Sequence, residues 1–142
     1  MNGVGVADLI AYCARADKME LQITTELKGR MLRVTATGSY TFDAAVRLLK
    51  QVLDTAKEKQ VSKILVNTLA MDRELSIIDR HILAVEVVEY AKRNQMVPRL
   101  AFVGKPPTVD GFGVRVAQNR GLTTDVFSSE QEALNWLEKW PS

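Results

Sequence analysis

An α/β domain with a mostly parallel sheet is what this sequence predicts, and three observations predict it. Apolar runs of strand length ("KILV", "RLAFV") alternate with longer stretches of helical period. The first two strand patterns stand back to back, separated only by "KGR", so the chain opens with a hairpin. Every later strand pattern is reached through a helical one, and that alternation requires parallel crossovers.

The elements follow in order. Residues 20–27, "ELQITTEL", place Leu21, Ile23, Thr25 and Leu27 on one side, the period of a half-buried strand. "MLRVTATG" alternates again after the turn. In "TFDAAVRLLKQVLDTAKEKQ" the apolar positions Phe42, Ala45, Val46, Leu49, Val52, Leu53 and Ala56 share one helical face, with Thr41 as its N-cap. "SKILVNTL" is a strand buried on both faces. A second helix starts at Ser76, and "RLAFVG" is a further buried strand. A shorter helix, "DGFGVRVAQNRG", ends at Gly121, a natural C′ glycine. A short strand, "TDVF", precedes a last helix capped by Ser128, with Gln131 at capping-box spacing. The expected order is β-β-α-β-α-β-α-β-α: about five strands and four helices.

Bulk properties narrow the function. The chain has 142 residues, 46% hydrophobic and 25% charged, one domain of ordinary composition. No apolar run approaches the roughly 18 residues needed to span a bilayer, and the N-terminus lacks the basic region of a secretory signal. A cytoplasmic location is therefore expected. The single cysteine, Cys13, and the single histidine, His81, exclude a disulfide framework and a multi-histidine metal centre. The net charge of +2 does not point to nucleic acid. Between Lys92 and Arg120 six basic residues stand against one acid, read mainly as solvated helix ends and loops. Residues 1–18 read as an N-terminal arm, disordered or helical ("DLIAYCARA"), ahead of a domain over 19–142.

Four stretches together resemble the SpoIIAA-like proteins of the STAS superfamily, the branch grouped with the SEC14-like, CRAL-TRIO fold. They are "GSYTFDAAVRLLKQVLDTA", "KILVNT", "RLAFVG" and "VAQNRGLTTDVFSSEQEALNWL". The most specific element is the tail: Asn119, Arg120 and Gly121, then Val126-Phe127, Ala133 and Trp136-Leu137. The resemblance implies a SpoIIAA-like α/β sandwich that acts by binding. It also implies a switch serine at the start of the second helix, where the family's anti-sigma factor antagonists are phosphorylated.

At that place the sequence reads "VNTLAMDRELS" and the family's Asp-Ser-Ser/Thr-Gly motif is absent. Asn67, Asp72, Glu74 and Ser76 are the candidate switch or interaction loop. Ser76 reads first as a helix cap, since Ser76-Ile-Ile-Asp79 has capping-box spacing. A phosphate there would gain the helix dipole but face Asp72, Glu74 and Asp79. No constellation meets the geometric demands of an active site: His81 lies five residues past Ser76, and "GFG" lacks a preceding strand and a third glycine. The expectation is a non-enzymatic module without cofactor or metal.

The second helix carries more apolar residues than one face can hold. Met71, Leu75, Ile78, Ile82, Val85 and Met96 are the candidate interface or pocket. Three accounts stay open: a protein interface, with a homodimer first; a pocket beside the helix for a small apolar or lipid-like ligand; or burial from both sides by the fold itself.

Overall fold

A computed structural model describes residues 21–72, 75–106, 109 and 111–141. The elements are β1 (Gln22–Lys28), β2 (Met31–Ser39), α1 (Phe42–Lys59), β3 (Lys63–Asp72), α2 (Ile77–Arg93), β4 (Arg99–Val103), α3 (Phe112–Asn119), β5 (Thr123–Phe127) and α4 (Glu130–Leu137). This is the expected sequence of elements. The proposed arm, residues 1–18, and Glu74 lie outside the described residues.

The sheet order is β1-β2-β3-β4-β5, with β1 antiparallel to β2 and the remaining pairs parallel. A sheet that grows in one direction has a simple consequence. Each right-handed crossover must place its helix on the same side, so α1, α2 and α3 all cover one face. Their buried residues meet Leu32, Val34, Ile64, Val66 and Leu100 in the larger core. Only α4, which follows the last strand, is free to fold back onto the other face. There Ala133 and Leu137 pack on Leu65, Ala101 and Val103. The double-sided burial of "KILV" and "RLAFV" follows from this arrangement.

Helix ends are set locally. Thr41 caps α1, its Oγ1 accepting from the Ala44 N–H at 3.4 Å. At the end of α3, Arg120 is the C-cap and Gly121 has φ +97°. The Gly121 N–H donates to Gln118 O and the Leu122 N–H to Ala117 O, closing a Schellman motif with Leu122 buried. Asn119, Arg120 and Gly121 thus terminate a helix and stay exposed. The cap of α4 is Ser129 rather than the expected Ser128. Ser129 Oγ accepts from the Glu132 N–H, while Ser128 reaches the Glu132 carboxylate at 3.0 Å. With two adjacent serines, the one three residues before an acid takes the cap.

The first strand covers less than its alternation suggests. Leu27 is 49% exposed and Thr25 is exposed, because β1 is an edge strand that the helices only partly reach.

Candidate functional site

The stretch "VNTLAMDRELS" is not one loop. Strand β3 continues through it to Asp72, pairing Ala70, Met71 and Asp72 with Thr37, Gly38 and Ser39. A β-bulge makes this extension: Thr68 and Leu69 fall between the partners of Thr35 and Thr37. Thr68 stays buried and its Oγ1 donates to Val103 O at 2.7 Å. Leu69 emerges 43% exposed. The exit of β4 approaches so closely that a Cβ at Gly104 would stand 2.5 Å from Thr68 Oγ1, so glycine is required there.

Two of the candidate loop residues therefore belong to the strand. Asp72 is exposed, and its carbonyl accepts from the Tyr40 N–H at 3.1 Å, closing the strand end. Asn67 is drawn to the opposite face of the sheet, the one covered by α4. Its Nδ2 donates to Glu130 Oε2 at 2.7 Å and its Oδ1 accepts from the Leu69 N–H at 2.9 Å. Of the described members of the four-residue candidate loop, Asn67 and Asp72 lie on β3 and Ser76 stands at the helix start. Ser76 caps α2, its Oγ accepting from the Asp79 N–H at 3.1 Å.

The apolar candidates divide in two. Met71 and Leu75 are buried in the larger core, and Met71 lines a cavity beneath α2. Met96 is half-buried against the same core at the far end of the helix, and Val85 is half-buried on α2. Ile78 and Ile82, four residues apart, share an outward crest at 70% and 41% exposure. Ile77, at 65%, extends it. Full burial of α2 by its own fold is thus excluded for its first half, whereas Leu83, Ala84, Val87, Val88 and Ala91 form its inward face. His81 is exposed beside the crest.

The cavity measures about 100 Å³. It lies between α1, α2, α3 and the sheet, with Leu49, Val66, Leu83, Leu100 and Ala117 among its walls. Arg80, Thr68 and Thr124 supply polar atoms to an otherwise apolar lining.

A polar cluster that carries no sequence motif sits on the α4 face. Glu130, in the first turn of α4, receives Arg33 Nε at 3.2 Å and Nη2 at 2.6 Å, besides Asn67. Glu26 approaches Arg33 at 3.6 Å from β1. Partial burial pushes the Glu130 carboxyl up, but the bonds from Asn67 and Arg33 outweigh it and hold the carboxyl below its ordinary range. The hydrogen bond to Glu130 likewise raises Arg33. The partners are 97 and 63 residues from Glu130, so the only sequence signal was strand parity, which puts Arg33 and Asn67 on the same face as Leu65. The cluster ties α4 to three strands and resembles a clamp more than a reaction centre.

The basic segment is dispersed. Arg93 stacks over the Tyr90 ring on the helical face and Arg99 over Trp140 on the other. Tyr90 donates its hydroxyl to Asp54 at 2.6 Å, which pushes the phenol up. Among the described residues, no group of three or more His, Cys, Asp or Glu side chains could hold a metal ion, and no helix is long and apolar enough to cross a membrane.

Neither a protein-family model nor a curated protein matches the chain. Solved structures do. An anti-sigma factor antagonist from Mycobacterium paratuberculosis superposes with a TM-score of 0.57 at 14% identity, over 83% of this chain and 94% of that one. An uncharacterised protein with a SpoIIAA-like fold from Shewanella loihica gives 0.53 at 19%, over 86% and 97%. The anti-sigma factor antagonist SpoIIAA in its unphosphorylated form gives 0.51 at 18%, over 85% and 100%. The chain has the SpoIIAA-like fold, as the resemblance implied.

Proposed function

We propose that this chain is a non-enzymatic SpoIIAA-like binding module that works through protein–protein contact at the start of α2. The observation that carries this reading is the exposed crest of Ile77, Ile78 and Ile82 beside an exposed cap, Ser76. Three isoleucines grouped on one helix turn and the next form an apolar patch that water disfavours, and a partner's apolar groove removes it. Two of the similar structures are anti-sigma factor antagonists, proteins that act on protein partners by their description, which supports the reading. A second copy of this chain is the first partner to test.

The test replaces the crest without weakening the helix. Ile78→Glu with Ile82→Lys creates a helix-supporting pair at i, i+4. In sedimentation velocity over a wide concentration range, wild type should form a dimer and the double variant should remain monomeric. For a different protein partner, binding measured with that purified partner should fall at least tenfold in the variant. Unchanged self-association and unchanged partner binding would overturn the assignment of the crest.

Ser76 offers a narrower regulatory reading. Ser76→Asp keeps a capping side chain and adds charge, whereas Ser76→Ala removes the cap. If both leave partner binding untouched, Ser76 is a cap and nothing more. A lipid carrier is disfavoured by size: a 100 Å³ cavity is smaller than the roughly 150 Å³ that accommodates benzene.

A further inference from the structure

The single histidine of the chain, His81, stands inside the apolar crest of α2. It is exposed, with Ile77 and Ile78 one turn before it, Ile82 beside it and Val85 one turn after. The positions that border it on its own helix are thus apolar. Asp79, two residues away, points elsewhere around the helix, and Arg80 turns inward and is buried. The flank of α2 toward α1 is marked by Glu86, which Lys50 meets at 3.7 Å, and by Tyr90, which donates to Asp54. Positions 81 and 86 lie about 140° apart around a helix, so those charges sit on the other flank. On α3 the one ionisable side chain is Arg115, whose guanidinium lies back against Gly111. The sheet beneath α2 presents Val66 and Leu100, both apolar.

We propose that α2 packs antiparallel on α2 of a second copy, about a two-fold axis beside His81, and that protonating the two imidazoles opens the dimer. This rests on the crest being the docking surface, and it gives that surface its partner and its control. Charge sets the direction. The entry of α2 carries the exposed Asp72 and, in the first turn, Asp79, whereas its last turn carries the exposed Lys92 and Arg93. Antiparallel packing brings the acidic entry of one helix toward the basic exit of the other and opposes the two helix dipoles. Parallel packing would set like charges together. Symmetry sets what meets at the centre. A two-fold interface applies the same patch to both chains, so a residue in the middle of the patch lies near its own copy. His81 is the midpoint of the 77–85 crest. Neutral imidazoles are tolerated there, but two imidazolium ions would be desolvated with like charge side by side. The dimer therefore binds fewer protons than two separate chains, and acidification disfavours it. A histidine side chain ordinarily titrates at about pH 6.5, which places the switch near neutrality.

Sedimentation equilibrium of the full chain at about pH 7.5 and about pH 5.5, at one ionic strength, tests the switch on wild type, His81→Gln and His81→Lys. Wild type should dimerise at the higher pH, with a dissociation constant at least tenfold larger at the lower one. Each imidazole that must shed its proton contributes up to about tenfold over this range. His81→Gln should dimerise equally at both values and His81→Lys weakly at both, while circular dichroism shows the same helical content throughout. Lys92→Glu with Arg93→Glu makes both ends of α2 acidic and should weaken the dimer; no change would overturn the antiparallel direction. A wild-type chain that stays monomeric at the higher pH would overturn the crest as a self-docking surface, and the switch with it. A dimer that Ile78→Glu with Ile82→Lys disrupts, but that is equally stable at both pH values, would overturn the switch and leave the docking surface standing. So would a pH dependence that persists in His81→Gln, tighter association on acidification, or a loss of association that accompanies unfolding.

Discussion

The two faces of this sheet are held in different ways. Beneath α1, α2 and α3 lies an extended apolar core that reaches from Leu32 to Leu122. Beneath α4 lies a smaller core, built among the described residues from Leu65, Ala101, Val103, Ala133 and Leu137 and supplemented by a polar clamp and an aromatic row. Phe127, Trp136 and Trp140 stand in line, with centroids 5.6 Å and 4.7 Å apart, and Lys63 Nζ donates to the Trp140 carbonyl. Directional interactions therefore add to apolar contact in holding this eight-residue helix on the sheet. The difference shows where freedom remains. On the helical face, stability comes from inward residues of α2, which leaves its outward crest unconstrained by folding. On the α4 face, the polar residues are already engaged with one another.

Substitutions can break this contrast in order of expected effect. Leu53→Ala, at a position 1% exposed in α1, should cost about 2–5 kcal/mol through lost transfer energy and a residual cavity. Chemical denaturation measures it, and a loss under about 1 kcal/mol would mean that the helical face does not dominate stability. Glu130→Gln should cost about 1–2 kcal/mol at neutral pH, because charge-assisted bonds from Arg33 weaken.

The pH dependence of that second variant sharpens the comparison. The Glu130 carboxyl is held below its ordinary range in the folded chain. Its contribution is therefore complete above the unfolded value, about pH 4.3, and is lost as pH falls through the lower folded value. The gap between wild type and Glu130→Gln should close on acidification below that point. A gap constant with pH would show that charge is not what ties α4 to the sheet.

Smaller effects belong to α2. Ser76→Ala should lower stability by about 1 kcal/mol, the ordinary value of an N-cap, readable as a shift in thermal midpoint. Measured at a concentration below self-association, Ile78→Glu with Ile82→Lys should change stability by less than about 0.5 kcal/mol, because both side chains already face water in the single chain. A large loss of stability in that variant would show that the crest is part of the core after all.

Much of the fold was legible in the chain itself, for reasons that are local. Alternation marked β2, the 3.6-residue period marked α1, and short-range chemistry placed Thr41, Ser76 and Gly121 at their helix ends. The site was legible only in part. The apolar excess of α2 is visible in "SIIDRHILAVEVV", but whether Ile78 or Leu83 faces outward depends on where the sheet lies. Nothing near Asn67 in sequence announces Glu130, and nothing in "NTLAM" announces a bulge that carries β3 on to Asp72.

What the sequence determined by itself was the set of elements, their order and most of their ends, because period and capping act within a few residues. Tertiary structure decided which face each element covers, that Asn67 closes a clamp instead of a switch loop, and that Thr124 borders a cavity. Those outcomes depend on crossover handedness, strand register and packing, which join residues tens of positions apart and leave no local mark.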